Sequence, residues 1–227
     1  MSSIRSQLLW LAPVALFILI SPFTPWIDLT LAQMSYSSDT HSFQSSRFYD
    51  FMYYWGTFPG QLLIAASLTV LLLSYPIKHL KSMRMPALFL VLTLAIGAGF
   101  ITHALLKDHW GRPRPRQLIE FGGIQEYRPF WKPNFSHQPE PSKSFPCGHC
   151  TMGFAFFAFY FLGKRLNKKW MSVLGVVLAL ALGVGLGITR IAQGGHFFSD
   201  VLATALIMWL TAFAFDKLLF EEGAVSA

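Results

Sequence analysis

Cysteine is nearly absent: Cys147 and Cys150 are the only two in 227 residues, too few for a disulfide scaffold. Charge is scarce as well. Charged residues make up 13% of the chain against 53% hydrophobic, where a soluble domain carries about 25% charged residues, which points away from a water-soluble globule. Asp and Glu are fewer than Lys and Arg, 11 against 18, and they form no cluster suited to Mg²⁺. There is no long polar, Ser/Gly-rich or low-complexity tract to act as a linker, and no repeat of fixed period. One integral-membrane domain over residues 1–227 is the simplest expectation.

What is present is apolar and aromatic: mean hydropathy is +0.45, and Phe alone supplies 22 residues. A bilayer core of about 30 Å needs roughly 20 apolar residues in a helix. Segments 8–23, 58–74, 86–106, 150–163, 170–189 and 197–219 meet or approach that length. They predict an all-α, polytopic membrane bundle with about six transmembrane helices. The first is read as retained, because Ser21-Pro22-Phe23-Thr24-Pro25 is a poor exit site for a cleaved signal peptide.

The net charge of +7 does not point to nucleic acid, because Lys and Arg fall in short inter-helix segments rather than on one basic face. Their placement orients the chain instead. Lys78, Lys81 and Arg84 lie in one short loop, and Lys164, Arg165, Lys168 and Lys169 in another. Both loops read as cytoplasmic, and both termini with them. Residues 24–57 carry Asp28, Asp39 and Asp50 against Arg47 alone and read as an external loop. The segment 107–149 falls on the same outer side, yet holds Lys107, Arg112, Arg114, Arg116, Arg128, Lys132 and Lys143. That breaks the charge rule, and anionic-ligand binding explains the exception.

Three clusters on that side carry chemistry. The first runs from Lys107 to Arg116, where Pro113 and Pro115 stiffen the chain and space the Arg side chains apart. Lys offers a point charge, and Arg a planar fork that pairs with phosphate oxygens. A snorkelling, headgroup-binding collar is the bland alternative. The second is Pro146-Cys147-Gly148-His149-Cys150, leading into a helix start whose free N–H groups favour an anion. His149 there is placed to donate a proton. The third runs from Thr189 through Arg190 and His196 to Asp200. His196 and Asp200 are four apart, so a helix puts them on one face, and a carboxylate on one imidazole nitrogen leaves the other free as base or nucleophile.

Together the clusters resemble the type 2 phosphatidic acid phosphatase family, which shares its site with the vanadium haloperoxidases. Its pattern Lys-x6-Arg-Pro is matched by Lys107, Arg114 and Pro115. Pro-Ser-Gly-His is matched by Pro146, Gly148 and His149, with Cys147 in place of Ser. Ser-Arg-x5-His-x3-Asp is matched by Arg190, His196 and Asp200, with Thr189 in place of Ser. The motif core is 107–200. The resemblance implies a phosphatase in which His196 attacks phosphorus to form a phosphohistidine, Asp200 orients His196, and His149 protonates the leaving oxygen. Lys107, Arg114, Arg190, Gly148 and Cys147 would bind the phosphate, although a thiol is a weaker donor than a hydroxyl. No metal and no other cofactor is implied.

A site at the bilayer surface favours a lipid phosphate. Gln193-Gly194-Gly195-His196-Phe197 is similar to lipid A phosphatase-type members of the family. Undecaprenyl pyrophosphate, phosphatidylglycerol phosphate, and transfer to an acceptor lipid are the alternatives. Arg112 and Arg116 are expected to contact a large anionic headgroup. The implied setting is a bacterial inner membrane with a periplasmic site. A different class, membrane thiol oxidoreductase, is raised by the Cys147-x-x-Cys150 pair at a helix start.

Overall fold

The computed structural model describes residues 2–136 and 139–220, with side chains from Leu11 onward. Helix α1 (Ser2–Ile20) passes through a 3-10 turn (Ser21–Phe23) into α2 (Thr24–Ser35). Pro22 and Pro25 stand at the second positions of the turn and of α2, within the first turn where a missing N–H costs nothing, so the chain winds on. The result is one apolar span, Leu11–Ser35. A short hairpin follows, β1 (Tyr36–Ser37) against β2 (Ser42–Phe43). Ser46 then caps α3 (Arg47–Trp55) by accepting a hydrogen bond from the Tyr49 N–H, and α3 leads into α4 (Phe58–Leu73). Residues 24–57 are therefore mostly helical, which corrects the reading of that stretch as a loop.

Helix α5 (Arg84–Leu92) unwinds into a π-helical stretch, Thr93–Lys107. Among its described residues, the segment from Asp108 to Cys147 has two 3-10 turns and no long helix. The chain re-enters as α6 (Gly148–Phe154), α7 (Phe157–Arg165), α8 (Lys169–Ala192) and α9 (Phe198–Phe220). Among the described residues, five helices are long and apolar enough to cross a membrane. The expected fourth span is divided between α6 and α7, where bonds tighten to the i−3 carbonyl, as in Phe156 N–H to Gly153 O at 3.3 Å. The all-α polytopic membrane bundle stands.

The core forms where α6 and α7 are packed between α8 on one side and α9 on the other. Small residues let the backbones approach: a Cβ on Gly153 would lie 2.3 Å from Gly183 N, the close packing that lipid-embedded helices rely on. Trp209 fills the other side, with its ring centroid 5.3 Å from Phe157 and 4.9 Å from Phe161. On α8, Val173, Val177, Leu180, Val184 and Ile188 remain exposed, a stripe at helical spacing that suits acyl chains.

Successive spans alternate in direction. At one end of the bundle the ends of α2, the π-helix and α8 meet the starts of α3, α6 and α9. At the other end lie the two short basic loops, where Arg165 holds Asp216 bidentately at 2.7 and 2.8 Å.

Candidate active site

All three sequence clusters converge on the first of these ends. Lys107, closing the π-helix, donates from Nζ to the Pro146 carbonyl at 3.3 Å, which joins the first cluster to the second. The Arg116 N–H bonds Gly194 O at 3.2 Å, joining the first to the third. Ser144 Oγ donates to Asp200 Oδ2 at 2.6 Å, and the Cys147 N–H to Thr204 Oγ1 at 3.0 Å, joining the second to α9.

The i,i+4 expectation for His196 and Asp200 holds in space although only Asp200 lies within α9. His196 precedes the helix, and its N–H bonds Arg190 O at 3.2 Å. Its Nδ1 lies 3.5 Å from Asp200 Oδ2, close enough for the carboxylate to face the ring although no aligned hydrogen bond joins them. Asp200 Oδ2 also accepts from the Phe197 N–H at 2.8 Å. His196 and Asp200 are both buried, so the ring has one carboxylate beside it and little water.

The cations are crowded. Arg190, closing α8, donates to Gln193 Oε1 at 2.6 Å, and its guanidinium lies 4.7 Å from the centroid of the Tyr53 ring. Gly195 makes this possible: any Cβ there would stand 2.2 Å from Arg190 Nη2. Burial lowers the pKa of the Arg114 guanidinium, and the like charges of Arg116 and Arg190 lower it further. Arg114 Nε and Arg190 Nε are buried and have no hydrogen-bond partner among the described residues. Buried N–H groups are ordinarily paired, so these donors are left over for a ligand.

Helix α6 brings His149 to the same place, half-buried and stacked on Tyr53 with centroids 4.7 Å apart at 27°. Gly148 is buried at the helix start. His103 is exposed; its Nδ1 lies 2.7 Å from Ala98 O, and its Nε2 stands 2.5 Å from where a Cβ on Gly148 would be.

Three residues sit otherwise than the sequence suggested. Arg112 does not reach a headgroup: it is 0% exposed and lies between Asp28 and Asp200. Burial alone would lower its pKa, but Asp200 and Asp28 outweigh that and raise it, so it is a permanent cation. Cys147 and Cys150 are free thiols, both 0% exposed, which denies an exchange partner the access that thiol–disulfide chemistry needs. Arg116 is exposed.

Tyr53 and Asp28 escaped the sequence reading. Asp28 left one signal, a lone carboxylate in the apolar run that became α2. Tyr53 left another, its place in the aromatic-rich stretch 48–55.

A helical membrane bundle with an anion-ready cluster of Lys, Arg and His at one end is the class these observations define. The PAP2 superfamily profile matches residues 86–223. Lipid A 4'-phosphatase of Francisella tularensis subsp. novicida (strain U112) is 32% identical over 201 residues, covering 87% of this chain and 88% of that one. Lipid A 1-phosphatase of Rhizobium johnstonii (strain DSM 114642 / LMG 32736 / 3841) is 36% identical over 123 residues, 52% of this chain and 44% of that one. Probable lipid phosphate phosphatase 4 of Arabidopsis thaliana is 31% identical over 132 residues, 49% and 43% respectively. No solved structure matches. The chain belongs to the PAP2 superfamily, as its three spaced motifs led one to expect.

Proposed function

We propose that this chain, acting as one domain, is a metal-independent phosphatase that removes a phosphate from lipid A at the outer face of a bacterial inner membrane. The observation that carries the chemistry is the pair of buried, unpartnered guanidinium donors, Arg114 Nε and Arg190 Nε, beside a histidine with its own carboxylate. The substrate is taken from the relatives named for lipid A, above all the one that matches along most of both chains. The outer face follows from the basic loops at the opposite end of the bundle.

In this reading Lys107, Arg114 and Arg190 hold the non-bridging oxygens and neutralise charge on the transferring phosphoryl group. The Gly148 N–H adds a donor at the start of α6. His196 attacks phosphorus through the nitrogen turned away from Asp200; the P–O bond to the lipid breaks as His149 gives its proton to the leaving oxygen. Water then attacks the phosphohistidine, His149 takes up its proton, and inorganic phosphate leaves. With three protein cations supplied, no metal ion is required.

Phosphate release by the purified chain in EDTA, from lipid A, phosphatidic acid, phosphatidylglycerol phosphate and undecaprenyl pyrophosphate, tests this. Lipid A is expected to be turned over fastest. Silence on every lipid would end the proposal; preference for another lipid would replace the substrate alone; activity only with added Mg²⁺ would remove the metal-free mechanism.

A further inference from the structure

The largest fully buried side chain among the described residues is Arg112. A guanidinium does not shed its proton inside a protein, so its burial demands acceptors on every side. Its Nη1 donates to Asp200 Oδ1 at 2.5 Å and to Ser199 Oγ at 2.8 Å. Its Nη2 donates to Asp28 Oδ2 at 2.8 Å and Tyr127 Oη at 3.3 Å, and its Nε to Arg128 O at 2.8 Å. Asp28 also accepts from the Ser199 N–H at 2.9 Å and the Tyr127 hydroxyl at 2.9 Å. The Phe197 ring covers the guanidinium, 4.4 Å away. Every polar atom of the set faces inward, and none is left for substrate.

The two oxygens of Asp200 are thus used differently. Oδ1 is taken by Arg112; Oδ2, held by Ser144 and the Phe197 N–H, faces His196. We propose that Arg112 and Asp28 are positioning residues for phosphoryl transfer: Arg112 fixes the Asp200 carboxylate against His196, and Asp28 fixes Arg112. The inference rests on His196 being the nucleophile. Ionised, two carboxylates around one guanidinium leave one surplus negative charge, and His196 is the ionisable ring beside it. A phosphorylated imidazole whose second nitrogen keeps its proton is a cation, so the surplus lies where the intermediate develops positive charge. Neither residue belongs to the three motifs, and Asp28 lies outside the 86–223 match.

A merely structural ion pair would affect folding and leave turnover by the folded fraction intact. The test therefore uses Asp28→Asn, which keeps the shape and removes the charge, and Arg112→Lys, in the full-length chain with lipid A in mixed micelles. Each is expected to lower kcat by about 10- to 100-fold, the usual cost of losing a residue that orients a reactive one, with KM within about threefold of wild type. The double variant is expected to be no slower than the slower single, because both act through one carboxylate. Should Arg112→Lys fail to fold, Asp28→Asn decides alone. Wild-type kcat in a folded variant, a loss confined to KM, or unfolding of both variants would overturn the inference. His196→Ala separates the two levels: if it stays active, the nucleophile reading itself is wrong, whereas a dead His196→Ala beside an unimpaired Asp28→Asn overturns only the positioning role.

Discussion

At the scale of single residues, Tyr53 shows how a site recruits a side chain that no motif contains. Its ring stacks on His149 and lies under the Arg190 guanidinium, holding the proposed proton donor and one of the proposed phosphate-binding cations with one surface. Stacked-ring and cation–π contacts contribute about 1 kcal/mol each. Tyr53→Ala is therefore expected to lower kcat/KM by about 30-fold, since both contacts are lost and about 1.4 kcal/mol corresponds to one decade. Tyr53→Phe keeps the ring and should remain close to wild type; a loss in Tyr53→Phe equal to that in Tyr53→Ala would assign the role to the hydroxyl. The motif residues were legible because each cluster is short and its chemistry-bearing side chains stand at fixed spacing. The direction of Arg112 was not. Alternate Arg residues in a Pro-rich run look alike in sequence, and only the carboxylates packed around Arg112 turn it inward while Arg116 stays at the surface.

At the scale of elements, the bundle holds the site by pressing α6 against α8. Gly153 meets Gly183 there with no room for a Cβ, and α6 carries His149 while α8 carries Arg190. The neighbour is backbone and cannot swing aside. Gly153→Ala is expected to cost about 1–3 kcal/mol, the usual penalty of overpacking, and to lower the midpoint of thermal unfolding in detergent. An unchanged midpoint with full activity would show that the two helices can separate freely. Hydropathy located the apolar segments but misjudged their borders in two places. Pro22 and Pro25 look like breakers, yet they occupy turn and first-turn positions, so the first span runs on through Asp28. The fourth segment looked like a simple span, whereas its bonding tightens at Ala155 and Phe156.

At the scale of the molecule, the two ends differ in kind. One gathers Lys107, Arg114, His149, Arg190 and His196; the other carries Lys78, Lys81, Arg84, Lys164, Lys168 and Lys169. If the charge rule sets the orientation, a membrane-impermeant maleimide applied to intact spheroplasts should label Lys143→Cys and spare Lys168→Cys, two exposed positions at opposite ends. Labelling of Lys168→Cys alone would invert the topology. Asp28 adds a matter of timing. The ribosome delivers it early, 84 residues before the guanidinium it binds and 171 before the serine that completes its bonds. Until both arrive, a carboxylate waits at the border of the bilayer, a placement that costs about 2.5–3.5 kcal/mol at mid-membrane and less near the surface. Arg112 and Tyr127 relieve it first, and only a chain made through Ser199 completes its bonds, so the last bonds of Asp28 close only once the segment that carries His196 has been made.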